Sequence, residues 1–166
     1  MIAITIRPYR AADGAELAAL FRSSVKAIAR RDYTQSQVDA WAPDDIDVAR
    51  FAARCAAKST WIAECDDRVA GFSDLEGDGH VDMLYVHPDF QRRGVARALL
   101  VHIESLARAR GLERLYTQAS ITACPAFEAQ GFRVIAEQTV ERKGESLTNY
   151  RMEKRLDALN ASQRAP

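Results

Sequence analysis

Gln91, Gly94 and Ala96, interleaved with Arg92, Arg93, Val95 and Arg97, are the residues whose types and spacing most directly suggest a binding task. A glycine at the mouth of a helix leaves backbone N–H groups without helical partners, and the helix dipole adds partial positive charge at the same end. That combination suits a phosphate or pyrophosphate. Three arginines add full charges beside it. An apolar stretch, Met83-Leu84-Tyr85-Val86, leads in through a turn at His87-Pro88-Asp89. Strand, turn and helix therefore follow in the order such a site requires. The N–H groups from Arg92 to Arg97 are the expected donors, and Gly94 is needed because a Cβ there would push a phosphate away. The lysine and Ser/Thr that a nucleotide-hydrolysing phosphate loop places after its glycine are missing, which disfavours that class.

A second set lies downstream, Ser120-x-x-Ala123-x-x-x-Phe127-x-x-x-Gly131-Phe132. Together the two sets resemble the signatures of the GNAT superfamily of N-acetyltransferases. The first matches its acetyl-CoA motif, Gln/Arg-x-x-Gly-x-Gly/Ala. The second matches a cofactor segment that typically has asparagine at Ser120 and tyrosine at Phe127. The resemblance spans roughly Ile2 to Lys154. It implies an α/β fold with a mixed central sheet flanked by helices and a pair of parallel strands splayed apart at the cofactor site. It implies acetyl-CoA as donor substrate and no metal. The backbone of Leu84 and Val86, with Tyr85 between them, would pair with the pantetheine arm, and Ser120 and Phe127 would lie along it.

The implied reaction is direct transfer of acetyl to a primary amine of a small molecule or peptide. A free alkyl amine has a pKa near ~10, so a base or water relay must take its proton. Asp82, two residues before Leu84 and on the same strand face, is the first candidate base. His80 and Glu64 are alternatives. The usual acid position holds Phe127, which has no proton to give, so Tyr150 in the last strand is the first candidate acid, ahead of Tyr85 and Tyr116. Tyr33, Gln37 and Trp41 stand four apart on one helix face, in a stretch resembling one from a bacterial subgroup of uncharacterised acetyltransferases. They are the expected acceptor contacts. The loss of the usual tyrosine also fits a catalytically weak acetyl-CoA-binding regulatory module.

The elements that must position these residues are legible in the patterning. Ile2–Ile6 alternates as a strand. Asp13 stands where a cap would open a helix from Gly14 to about Arg30, Thr34 before a short helix Gln35–Trp41, and Asp44 or Asp45 before a third through Cys55. Two strands meet around Asp66-Asp67, and a third starts near Val81. The Gly94 helix runs to about Arg110, followed by a strand at Leu115–Ala119, a helix at Pro125–Gln130 and a final hairpin around Lys143-Gly144. Residues 1–154 form one domain and 155–166 a polar tail.

Composition narrows the class. The chain has 166 residues, 48% hydrophobic and 28% charged, with 23 basic against 23 acidic side chains. A zero net charge speaks against non-specific binding to nucleic acid or membrane surfaces. No apolar run approaches the ~20 residues of a membrane span. Cys55, Cys65 and Cys124 lack metal-ligand spacing and fit reduced thiols of a cytoplasmic protein, with a reactive Cys124 as the alternative. The late strands offer a surface for a homodimer.

Overall fold

A computed structural model describes residues 2–157. Its elements are β1 (Ile4–Pro8), α1 (Gly14–Ala27), α2 (Gln35–Trp41), α3 (Val48–Ala56), β2 (Ser59–Cys65), β3 (Arg68–Leu75), β4 (Leu84–Val86), α4 (Val95–Ala109), β5 (Arg114–Ser120), α5 (Cys124–Ala129), β6 (Arg133–Arg142) and β7 (Glu145–Arg155). Short 3-10 turns at Ala11–Asp13, Ala29–Arg31 and Pro88–Phe90 link them. The expected order holds throughout. Leu156 is buried beyond β7, with its N–H on the Glu113 carbonyl at 2.8 Å. From residue 158 on, the expected tail lies outside the described residues.

Two antiparallel sheets share the molecule, β1-β2-β3-β4 and β5-β7-β6. They meet through one parallel bridge, His80 to Tyr116, with Val81 N–H on the Tyr116 carbonyl at 2.8 Å and Tyr116 N–H on the Gly79 carbonyl at 3.0 Å. Gly79 has φ +97°, and a Cβ on it would run into the Arg114 carbonyl, so only glycine lets the two sheets approach here. Past that bridge β4 follows β3 and β5 follows β7. The parallel pair β4 and β5 therefore splays, as the resemblance implied. β4 is held to β3 at its entry: the Asp74 carboxylate accepts the N–H groups of Asp82 (2.8 Å) and Met83 (3.3 Å), and Ser73 Oγ donates to the Met83 carbonyl at 2.7 Å.

Helices cover both faces. Leu17, Leu20, Phe21 and Val25 of α1 pack with Val38, Phe51 and Phe72 on one side. Val95 and Leu99 of α4 pack against Ala63, Ala70 and Phe90 on the other. Farther along, Ile103 and Ala107 join Leu115, Phe127 and Met152. Two hairpin turns use left-handed pairs, Asp66-Asp67 (φ 50° and 60°) and Lys143-Gly144 (φ 46° and 82°), which match the twist of the flanking strands.

Two expected caps are replaced. Asp13 precedes α1 but makes no cap bond; its carboxylate instead takes the Arg7 guanidinium at 2.8 and 2.9 Å and the Arg10 N–H at 2.7 Å. α3 is capped by Asp47, which accepts Arg50 N–H at 3.0 Å, while Asp44 turns to Arg22 and Lys26. Several Asp residues preceded the helix, and only the path of the chain chose among them.

Candidate active site

Two cavities open on opposite faces of β4, as alternation along a strand requires. Leu84 and Val86 line the smaller, of about 360 Å³. Met83 and Tyr85 line the larger, of about 810 Å³. Trp41 and Ser120 line both, so the cavities adjoin where β4 and β5 diverge.

The smaller cavity is framed by backbone. His87 N–H donates to the Ala70 carbonyl at 2.8 Å. Ladder bonds alternate in an antiparallel pair, so His87 and Tyr85 face β3 while the amides of Leu84 and Val86 face the gap. At one end, Gly94 adopts φ +84° ahead of α4 with no side-chain cap. The first bond that closes onto this glycine is from Ala98 N–H at 2.9 Å, leaving the N–H groups of Val95, Ala96 and Arg97 without helical partners. A Cβ at Gly94 would find nothing nearer than Ile4 Cδ1 at 4.0 Å. The glycine is thus required by its left-handed turn and not by crowding from the protein. Gln91, Arg92 and Arg97 line the same cavity, and Val25 of α1 and Ile28 just beyond it wall it. This is a cradle for an anion at a helix start, opening onto a slot with unpaired amides, and it fits an extended, phosphorylated thioester.

Three side chains among the expected cofactor residues point elsewhere. The Arg93 guanidinium rests 5.7 Å from the Phe90 ring and lines neither cavity. Phe127 is 2% exposed and packs edge-on to Phe132 at 5.0 Å, filling the core under α5. Tyr85 turns its ring to the larger cavity, among Phe21 (4.9 Å) and Phe72 (5.6 Å). Arg31 was missed: it lines the smaller cavity and donates to Gln91 Oε1 at 3.2 Å. Sixty residues separate the pair, so no local pattern marked it.

The larger cavity is built of side chains from every layer: Phe21, Trp41, Arg54, Tyr85, Gln118 and Asn149 among them. Tyr33 is a strut within it. Its hydroxyl donates to the Thr148 carbonyl at 2.6 Å and accepts Ile121 N–H at 2.9 Å, and its ring meets Trp41 edge-on at 5.5 Å. Gln37 lines neither cavity. Its carboxamide accepts Thr34 N–H at 2.8 Å in a capping box and donates to the Ser146 carbonyl at 2.9 Å, docking α2 on β7.

The titratable groups sort just as sharply. Asp82 lines the larger cavity and not the Leu84 face expected of it, because the strand begins only at Leu84. It is gripped by Arg54 and Lys58, whose hydrogen bonds and charges outweigh desolvation and hold its carboxyl below the usual range. A carboxylate so satisfied is a poor proton acceptor. His80 stacks on Tyr116 at 4.8 Å and bonds Gln118 at 2.7 Å; Glu64 pairs with Arg7 at 2.7 Å; neither lines a cavity. Tyr150 packs against the Leu115–Met152 core and lines neither. Tyr116 bonds Asp78. Burial pushes the Tyr85 phenol up to about 12, so it stays protonated. Cys124 donates to Glu128 at 3.0 Å, and burial with that carboxylate raises its thiol to about 11, which removes it as a nucleophile. Buried Asp74 is pushed to about 6 by desolvation.

A model described as the acetyltransferase (GNAT) domain matches residues 29–154, most of the chain. The chain belongs to the GNAT acetyltransferase family. As a GNAT enzyme it is an N-acetyltransferase. It is 37% identical over 150 residues to the uncharacterized N-acetyltransferase YafP of Escherichia coli strain K12, covering 90% of this chain and 94% of that one. A crystal structure of a GCN5-related N-acetyltransferase from Rhodopseudomonas palustris superposes with a TM-score of 0.89 at 39% identity, covering 94% and 98% of the two chains. Salmonella typhimurium yncA, solved with its cofactor acetyl-CoA, shares the GNAT fold at a TM-score of 0.70 and 23% identity, over 96% and 97%. No described helix is long and apolar enough to cross a membrane.

Proposed function

We propose that this GNAT enzyme binds acetyl-CoA in the smaller cavity and transfers the acetyl group directly to a primary amine that enters through the larger one. The observation that carries this reading is that the two cavities adjoin at Trp41 and Ser120. Acetyl-CoA supplies the thioester. The N–H groups of Val95, Ala96 and Arg97, with Arg92 and Arg97 side chains, hold its pyrophosphate. The amides of Leu84 and Val86 pair with its pantetheine arm, and one of them polarises the thioester carbonyl as the amine nitrogen adds to its carbon.

The C–N bond forms and the C–S bond breaks, and the proton lost by nitrogen ends on sulfur. Ser120 Oγ accepts Ala123 N–H at 3.0 Å, leaving its hydroxyl proton free to donate to the departing sulfur. We assign it the acid position in place of Tyr150. Water in the larger cavity takes the amine proton, in place of Asp82, and passes one back to Ser120, so that the serine is restored and the net proton transfer is from nitrogen to sulfur. Orientation and oxyanion contacts supply most of the acceleration. The β6 edge, with Val134 45% and Ile135 55% exposed, is where a homodimer through the late strands would form.

The test is thiol release from acetyl-CoA across polyamines, aminoglycosides, amino acids and short peptides. Turnover above the amine-free blank supports transfer. A flat panel with acetyl-CoA binding intact would favour the binding-module reading, which draws on Phe127 being core and not catalytic.

A further inference from the structure

The lining of the larger cavity carries charge that the transfer reaction does not use. Arg50 and Arg54 stand on the α3 side, and Arg142 and Lys143 on the β6–β7 hairpin. Arg54 is committed to Asp82, with Nε at 3.1 Å. Arg50, Arg142 and Lys143 form no ion pair with any described residue. The carboxylates on the same lining are Asp82, already neutralised by Arg54 and Lys58, and the exposed Asp45 and Asp47, the latter bound to Arg50 N–H as the α3 cap.

Arg142 lines the same cavity as Arg54 and Tyr85, at the mouth formed by the hairpin, where it is exposed. Strand register sets the scale. Asn149 of β7 lies opposite Ser120, where the cavities join, while Glu145 lies opposite Arg142 at the other end of the strand. Four residues of strand span roughly 13 Å, part of which the arginine side chain covers.

We propose that the acceptor is a compact primary amine that also carries a carboxylate or similar anionic group, with the amine entering beside Trp41 and Ser120 and the anion pairing with Arg142. This rests on the transfer reading above. A guanidinium offers a planar fork that matches a carboxylate, and such pairs are among the stronger hydrogen bonds. A polycation entering the same space meets Arg54, Arg142 and Lys143 and is disfavoured by like charge.

The test compares three acceptors of matched length, γ-aminobutyrate, butylamine and putrescine, with the full chain. Binding to the protein–CoA complex is read by calorimetry and kcat/KM by thiol release. γ-Aminobutyrate is expected to exceed the other two by roughly tenfold in both readouts, and Arg142→Gln to remove most of that ratio through KM. Acetyl-CoA affinity measured alongside reports that the domain is intact. Equal treatment of the three amines, preference for putrescine, or a ratio untouched in Arg142→Gln would overturn the anion site. No thiol release with any of them, but Arg142-dependent binding of γ-aminobutyrate retained, would overturn the transfer reading alone.

Discussion

The two faces of β4 are built on different principles. On the Leu84 and Val86 face, binding is assigned to backbone: strand amides turned to the gap and helix N–H groups behind Gly94. Side chains there mainly wall the slot. On the Met83 and Tyr85 face, the cavity is made of side chains from α1, α2, α3, β4, β5 and the last hairpin. A ligand held by backbone can be met by many sequences that keep one glycine and one strand. A ligand held by side chains is chosen by each of them. On the proposed reading, the shared donor falls to the backbone face and the specific acceptor to the side-chain face.

Gly94→Glu attacks the backbone face. Open space beside Gly94 lets the side chain in without disturbing the core, while the left-handed turn is strained and a carboxylate faces the N–H groups. Acetyl-CoA affinity should fall by about 100-fold or more with the thermal unfolding of the domain nearly retained. Unchanged affinity would break the distinction.

Ser120→Ala and Tyr150→Phe set the junction against the core. Ser120→Ala should lower kcat about tenfold, consistent with loss of one proton donor. Tyr150→Phe should leave kcat in place, since that side chain lines neither cavity. The reverse pattern would restore Tyr150 as the acid.

Asp74 and Asp82 separate structure from catalysis on the side-chain face. Asp82→Asn should cost about 1–2 kcal/mol of stability through Arg54 and Lys58 but leave the midpoint of the pH–rate profile unmoved. A shifted midpoint would return Asp82 to the role of base. Asp74 is raised in the folded state to about 6 from an ordinary 3.8, so the folded protein holds that proton more tightly than the unfolded chain. Its contribution to stability therefore falls as pH rises through that window. Asp74→Asn, which keeps an acceptor for the N–H groups of Asp82 and Met83, should flatten this part of the unfolding profile.

Gln37→Ala is the mildest. It removes a capping box and the tie to Ser146, for about 1 kcal/mol of stability. KM for the acceptor should change little, and a large rise would place Gln37 in the cavity after all.

The order of elements, both left-handed hairpin turns and the Gly94 helix start were legible because each depends on neighbours in the chain: alternation, a turn pair, a glycine before an apolar helical face. Ile28 shows the limit of the same reasoning. Its spacing from Val25 suits the buried face of the expected helix to Arg30, yet it stands just past the end of α1 and walls the smaller cavity instead of filling the core. Phe127 matched its motif in spacing and still went into the core, because an apolar ring gains more from packing with Phe132 than from lining a slot.

By itself, then, the sequence determined the α/β order, the phosphate-type cradle and the strand that faces it, since 3.6-residue and two-residue periods and a single left-handed glycine are local facts. Tertiary structure alone decided which charges are spent. Lys58 reaches Asp82 across the gap between α3 and β4, Gln37 is drawn onto β7, and Arg142 lines the cavity with no ion pair to a described residue. Such pairings depend on which elements the fold brings within a few ångströms, and that distance is written in no short stretch of chain.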